Sequence, residues 1–126
     1  MPLTIETGKH KIKKHSIGMN WYRNAHFQVS NQVKKKYQDL VSEQLKEHRF
    51  KNYAKVKLYF TYYKKSNRKT DRANFCSIHE KFFCDAIVSM GIIKDDHDGI
   101  VKESHYYGDV VDKIDPRMEI EIHVIE

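Results

Sequence analysis

The stretch YAKVKLYFTYY, residues 53–63, alternates between apolar and more polar side chains along its whole length. One side carries Ala54, Val56, Leu58, Phe60 and Tyr62, and the other carries Lys55, Lys57, Tyr59, Thr61 and Tyr63. Successive side chains of a strand point to opposite faces of its sheet. The pattern therefore predicts a strand with one buried face and one wetter face, and the other elements are predicted on either side of it.

Two helical patterns flank this strand. Over 74–90 the apolar residues recur at helical spacing, and Gly91 suits the position just past the end of a helix. The apolar stripe consists of Phe75, Ile78, Phe82, Ala86 and Met90. Upstream, a helix is predicted from Ser30 onward, with Ser30 or Asn31 as its N-cap. Its apolar residues are Val33, Tyr37, Leu40, Val41 and Leu45.

Three further segments have the character of strands. They are residues 3–7, a segment somewhere in 100–111, and residues 118–125, with Pro116 marking the turn between the last two. The order β-α-β-α-β-β predicts an α+β, two-layer fold, with a mixed or antiparallel sheet and two main helices on one face. A chain of 126 residues suits a single domain spanning 1–126.

The charge balance favours a polyanionic partner. Lys and Arg number 23 against 17 Asp and Glu, which gives a formal charge of +6 and a pI near 9.2. Nucleic acid is a natural partner for such a chain, although a solvated lysine surface has the same composition. The longest apolar run is only a few residues, so we expect no membrane span.

The cysteines indicate a reducing compartment. Cys76 and Cys84 lie eight residues apart in one predicted helix, a separation of roughly 12 Å that exceeds the reach of a disulfide. The sequence shows no CxxC pair and no secretory leader. A cytoplasmic location is therefore expected.

Carboxylates bracket the second predicted helix. Asp71 precedes it, and the turn KDDHDG (94–99) that follows it contains Asp95, Asp96 and Asp98. Taken singly, each has an ordinary structural explanation, as a helix N-cap or as a turn residue. If the sheet brought the two ends of the helix together, the same groups could hold Mg²⁺ for phosphodiester hydrolysis.

Four segments of the chain resemble the RusA family of Holliday junction resolvases. "TDRANF" (70–75) is similar to the family's D-x-D-N motif, and "EKFFCDAIVSMGIIKDD" (80–96) to its K-x-x-x-D-A run that ends in paired acids. "SIGMNWYRNAHFQVSNQVKKKYQDLV" (16–41) resembles the family's opening, and "RMEIEIHV" (117–124) its closing strand. The resemblance covers most of the chain.

The resemblance implies an enzyme that resolves branched DNA, above all four-way junctions, as a homodimer using Mg²⁺. It implies Asp71, Asp95 and Asp96 as metal ligands, with Asp71, Asp96 and Lys81 in catalysis. Asn74 matches the asparagine of the motif. In place of the motif's second acid this chain has Ala73. It is therefore either a divergent active resolvase or a relative that binds junctions without cutting them.

Other side chains offer alternatives for the missing acid and for the lysine. Glu80, His79 and Asp98 are candidate substitutes for the acid, although His79 lies near the middle of the apolar stripe, where a buried structural histidine is expected. Lys81 lies on one edge of the helix, where an ion pair with Asp85 four residues on would equally explain it.

Basic and aromatic residues are predicted to contact DNA. The loop 64–72 surrounds Asp71 with positive charge, and a second cluster lies near residue 21. The predicted contact residues are Lys64, Lys65, Arg68, Lys69, Arg72, Trp21 and Arg23. For Trp21, packing in the core or in a dimer interface is an equal alternative to stacking on bases. An RNA-binding or interaction module without metal is a third interpretation of the same basic surface.

Overall fold

In the computed structural model, residues 1–48 and 50–125 are described. The chain forms five strands and three helices within these ranges. They are β1 (Thr4–Thr7), β2 (Lys13–Ser16), α1 (Met19–Asn24), α2 (Phe27–Leu45), β3 (Val56–Lys64), α3 (Arg72–Ser89), β4 (Val101–Val111) and β5 (Arg117–Val124).

The main sheet has three strands, in the order β4-β3-β5. β3 is its central strand, parallel to β4 and antiparallel to β5. β1 and β2 form a separate antiparallel pair. The α+β class is confirmed, and the sheet is mixed. β2 and α1 lie in a region for which we predicted no element, so the observed order is β-β-α-α-β-α-β-β.

The apolar face of β3 lies in the core, as its alternation predicts. Val56, Leu58 and Phe60 are fully buried and Tyr62 nearly so, while the residues between them are half-buried. This face packs against α3 and joins Met118 of β5 in one continuous hydrophobic cluster. Burial of one such side chain contributes about 2 kcal/mol, so β3 is a major source of stability.

α3 begins at Arg72, two residues earlier than predicted, because the Asp71 side chain accepts a hydrogen bond from the Ala73 backbone N–H (3.0 Å) and caps the helix. It ends at Ser89, and Gly91 has φ +76°, the left-handed conformation expected of a glycine just past a helix. Its buried surface is wider than one stripe. The buried residues are Cys76, Ile78, His79, Phe82, Phe83, Cys84, Ala86 and Ile87.

α2 starts at Phe27, three residues before the predicted start, because His26 rather than Ser30 is its N-cap. The His26 Nδ1 accepts a hydrogen bond from the Gln28 backbone N–H at 3.2 Å. α2 packs across α3, and its Tyr37 hydroxyl lies 2.8 Å from Nδ1 of His79. Within residues 1–48 and 50–125, no helix is both long and apolar enough to cross a membrane.

His79 makes the stability of the fold pH-dependent. It is completely buried, and burial lowers its pKa from 6.5 to about 3. Below pH 6.5, His79 is therefore protonated in the unfolded chain but stays neutral in the folded chain. The free energy of unfolding consequently falls as the pH falls. Between pH 7 and pH 5 the loss should be about 2 kcal/mol.

We predict that His79→Gln removes this dependence. Urea denaturation of the variant and the parent at pH 7 and pH 5 measures it. The parent should lose about 2 kcal/mol more than the variant over this range. Parallel pH profiles for the two proteins would contradict the assignment to His79.

Candidate nucleic-acid interface

Asp71 lies at the exposed start of α3. One of its carboxylate oxygens caps the helix through the Ala73 backbone N–H. One turn further on, Asn74 Oδ1 accepts a hydrogen bond from the Asn20 backbone N–H (3.1 Å), which holds α1 against the first turn of α3. The asparagine of the motif thus positions a second helix beside the acid.

A groove of about 800 Å³ opens between α1 and the start of α3. Its lining residues are Met19, Asn20, Arg23, Arg68, Lys69, Thr70, Asp71, Ala73, Asn74, Phe75 and Ser77. Arg23 enters from α1, and Arg68 and Lys69 enter from the loop after β3. The exposed carboxylate of Asp71 therefore shares an open groove with three exposed cations, which suits contact with a phosphate backbone.

Ser77 is a groove residue that sequence reasoning missed as a functional candidate. Its Oγ is buried and has no hydrogen-bond partner among the described residues. Asn20 was missed as well, because its role depends on the contact between α1 and α3. Neither residue belongs to a recognisable motif, so only the arrangement of the helices identifies them.

Three residues that were predicted to contact DNA lie outside this groove. Lys64 ends β3 and is only 6% exposed; its Nζ lies 3.4 Å from both the Arg68 carbonyl and Asp109 Oδ1, so the structure buries it at the end of the strand and outside the groove. Lys65 is exposed but lines a different groove, beside β5. Arg72 packs over β4, where a Cβ placed on Gly108 would stand 3.1 Å from the Arg72 Cβ.

Trp21 takes part in core packing. It is half-buried, its indole N–H donates to His15 Nδ1 at 3.1 Å, and its ring meets Phe82 edge-to-face at 6.4 Å. Of the two alternatives open for this residue, the structure favours packing, since the hydrogen bond and the aromatic contact already occupy the indole.

The acidic turn lies at the opposite edge of the domain from Asp71. The Tyr53 N–H donates to the Ile92 carbonyl and the Val56 N–H donates to the Ile100 carbonyl, both at 2.8 Å, so the turn 94–99 is beside the start of β3. Asp71 instead follows the end of β3. α3 has 18 residues, which places its two ends roughly 27 Å apart.

The expected set of three metal ligands is therefore divided within one chain. Asp95 and Asp96 lie together, and Asp95 Oδ1 accepts the Asp96 backbone N–H at 2.8 Å. Asp71 is far from both. Across the described residues, no three His, Cys, Asp or Glu side chains come together as a metal site. A single copy does not have the geometry to hold Mg²⁺ with the predicted residues.

Lys81 lies on the exposed side of α3, between its two ends. Its Nζ is 5.8 Å from the centre of the Tyr22 ring, and it is about 15 Å along the helix axis from Asp71. The expected alternative partner, Asp85, pairs instead with Lys34 at 2.7 Å. Lys81 is thus exposed and carries no ion pair with Asp85.

The candidate substitutes for the missing acid differ in their accessibility. His79 is buried against Tyr37, as expected, although only its Nδ1 has a hydrogen-bond partner among the described residues and its buried Nε2 has none. Glu80 points from α3 toward β4, where its Oε1 accepts the Tyr106 hydroxyl at 3.2 Å and its Oε2 is buried. Burial next to Glu80 raises the pKa of Tyr106. Asp98 is exposed in the acidic turn.

Comparisons with known proteins add no assignment: no family model matches the chain, and no curated protein matches it.

The position of the groove predicts that two cations close together in the sequence contribute differently to DNA affinity. Arg68→Gln should weaken DNA binding about 3- to 10-fold at moderate salt and reduce the salt slope by about one, because a phosphate contact is lost. Lys65→Gln removes the same charge three residues away, outside the groove, and is the matched control. Binding titrations at several salt concentrations measure both. Equal losses in the two variants would show that charge alone, and not the groove, sets affinity.

Proposed function

We propose that this protein is a RusA-like, Mg²⁺-dependent endonuclease of branched DNA that acts as a homodimer. The observation that carries the proposal is the exposed Asp71 carboxylate in a groove with Arg23, Arg68 and Lys69. A carboxylate surrounded by cations suits a nuclease because the cations attract the phosphate backbone while the acid is available to a divalent ion. The resemblance to the family adds the substrate class.

The cations of the groove and the N-terminus of α3 would both attract the negatively charged DNA backbone. The groove lies at the N-terminus of α3, and helix N-termini favour anions. Arg23, Arg68 and Lys69 add full positive charges around it. Contacts of this kind recognise backbone and shape rather than base sequence, as expected of an enzyme that selects junctions.

The metal site requires two copies of the chain. Asp71 of one copy and Asp95 with Asp96 of the other would together supply the carboxylates that Mg²⁺ prefers. Bound there, the ion would supply charge neutralisation for the phosphodiester and an activated water. A two-fold dimer has two such composite sites by symmetry, which suits paired cuts in the two strands of a junction.

Lys81 is the proposed electrostatic residue, although it lies about 15 Å along the axis of α3 from Asp71. It is exposed on the same edge of α3 as Asn74, and its ammonium is a mobile point charge that can follow a phosphate. The resemblance implies that Lys81 stabilises the charge that develops on the phosphate during cleavage, which requires the phosphate to lie between Lys81 and Asp71.

The second candidate function is junction binding without cleavage, and Ala73 favours it. This residue lines the groove beside Asp71 and is exposed, so the position where the family has its second acid holds only a methyl group. A site with fewer carboxylates binds a divalent ion more weakly. Cleavage of a labelled four-way junction with and without Mg²⁺, against a linear duplex, separates the two functions.

A complementation experiment tests the composite site. Asp71→Asn and Asp96→Asn should each abolish cutting. Mixed in equal amounts and allowed to exchange subunits, they form heterodimers in which one site has both variants and the other has neither. The mixture should recover about a quarter of the wild-type nicking rate, as single nicks.

The nicking activity of that mixture distinguishes a composite site from a site that is complete within each copy. If each copy carried a complete site, every site in the mixture would be damaged and no activity would return. The same variants mixed with themselves serve as controls for residual cutting.

Ala73→Asp should raise Mg²⁺-dependent cutting at least tenfold if the present site is active but weakened, since it restores a carboxylate beside Asp71. Ala73→Asn has the same size without the charge and is the matched control. Initial cleavage rates measure both. No gain in the aspartate variant, with junction binding intact, would favour the binding function.

A further inference from the structure

A second groove, the β5 groove, has a volume of about 1280 Å³ and an apolar floor. It lies between β5, the end of α2 and the turn that joins β4 to β5. Its floor includes Phe50, Ile120 and Ile122, which are all half-buried. Exposure along this face of β5 rises from Met118, which is fully buried, to Val124, which is 45% exposed. The floor is therefore an apolar strip that the chain itself leaves partly uncovered.

The outer edge of β5 is open beside this groove. Within the sheet β5 pairs only with β3, and the Ile125 N–H donates toward that side, to the Lys55 carbonyl at 3.0 Å. Because alternate residues of an antiparallel strand bond to opposite sides, the backbone groups of Ile120, Ile122 and Val124 point outward. Among the described residues, none pairs with these outward backbone groups.

One residue pair shows that this edge accepts an extended backbone. The Met118 N–H donates to the Met1 carbonyl at 2.9 Å, and the Met1 nitrogen donates to the Met118 carbonyl at 2.7 Å. Such a reciprocal exchange is the hydrogen-bonded pair of an antiparallel ladder. The outward groups of residues 120–124 continue the same row, and they are available to another extended segment.

Three exposed ammonium groups surround the groove. They belong to Lys14, Lys65 and Lys113. Lys65 follows the last residue of β3 and Lys113 lies in the turn that leads into β5, so both are at the Arg117 end of that strand. None of the three forms an ion pair with another residue in 1–48 or 50–125. Unpaired cations at one end of an apolar floor attract a partner with acidic and apolar side chains.

The acidic side chains of this region do not neutralise those lysines. Glu119 and Glu121 lie on the opposite face of β5 from Ile120, since successive side chains alternate. Glu119 pairs with Arg117 at 2.9 Å, and Asp115 lies 3.9 Å from the same guanidinium. A segment added to β5 should therefore carry its acids beyond the strand, near the lysines, and not beside the two glutamates.

We propose that the β5 groove binds an extended segment of a partner protein, apolar at its N-terminal end and acidic at its C-terminal end. Its backbone pairs antiparallel with the outer edge of β5, and its alternate apolar side chains cover Ile120 and Ile122. An antiparallel segment has its C-terminal part at the Arg117 end of β5, where Lys65 and Lys113 lie. Strand addition of this kind takes affinity from main-chain hydrogen bonds and specificity from the side chains that enter the groove.

This surface is separate from the one proposed for DNA. The β5 groove shares no lining residue with the groove at Asp71, so the inference does not depend on the nuclease function. Phosphates are poorly suited to an apolar floor, because burying charge there costs free energy. A peptide uses the floor, the strand edge and the cations together.

A synthetic peptide tests the groove. The probe is a fluorescein-labelled peptide of three valine–threonine repeats followed by three aspartates, titrated with the protein by fluorescence anisotropy at low salt. Lysine in place of the aspartates is the charge control, and threonine in place of the valines is the apolar control. The probe should bind at least about tenfold more tightly than either, because both contributions are needed. Equal binding of probe and controls, or no binding of the probe, would overturn the proposal.

Charge reversal in the protein locates the site. Lys65→Glu and Lys113→Glu should each weaken probe binding about fivefold, since an attraction between exposed charges becomes a repulsion. Lys102→Glu is the matched control, because it reverses an exposed lysine on β4, at the other edge of the sheet. Equal weakening by all three variants would reveal an effect of net charge alone and would rule out the groove as the site.

Amide hydrogen exchange checks the strand pairing. The probe should slow exchange at Ile120, Ile122 and Val124 at least about tenfold, whereas the amides of Glu121 and His123 already bond within the sheet and should change little. Protection of the three outward amides in the free protein that disappears on dilution would assign the edge to a second copy of the chain. Displacement of the probe by a single-stranded oligonucleotide would assign the groove to nucleic acid. Either result contradicts the proposal.

Discussion

The packing of β3 against α3 is the contact on which the rest of the structure depends. The apolar face of β3 is fully buried at Val56, Leu58 and Phe60, and β3 is the strand that both neighbours pair with. β3 leads into α3, and α3 returns the chain to β4 at the start of β3. This path carries the two ends of α3 to opposite edges of the domain, and with them the two groups of carboxylates.

That separation gives one copy two distinct charged surfaces, one at each end of α3. The groove at the start of α3 has one acid and three cations, whereas the turn after α3 has paired acids with Lys94 as their nearest basic neighbour in sequence. The groove therefore supplies most of the positive charge, and the turn supplies the paired acids. In the proposed homodimer, a two-fold axis that reverses the direction of α3 in the second copy would bring the two surfaces together, because it exchanges the two ends of the helix.

Much of the fold follows from local patterns in the sequence. The period of two in 53–63 indicates β3, and helical spacing with an acid before it and a glycine after it indicates α3 within two residues at each end. β2 was missed because KKHS has no apolar alternation, and its buried His15 is held by Thr7 and Trp21 instead. α1 has six residues, too few for helical spacing to be recognised.

The sequence by itself determined the elements from α2 to β5 and their order, the basic loop and the cap at Asp71, because these depend on neighbouring residues. The tertiary structure alone decided which charges share a surface. It brought Arg23 to Arg68 and Asp71 through the contact of α1 with α3, buried Lys64 at the end of a strand, and separated Asp71 from Asp96. Distances between residues far apart in the chain depend on how helices cross the sheet, and local patterns do not encode that crossing.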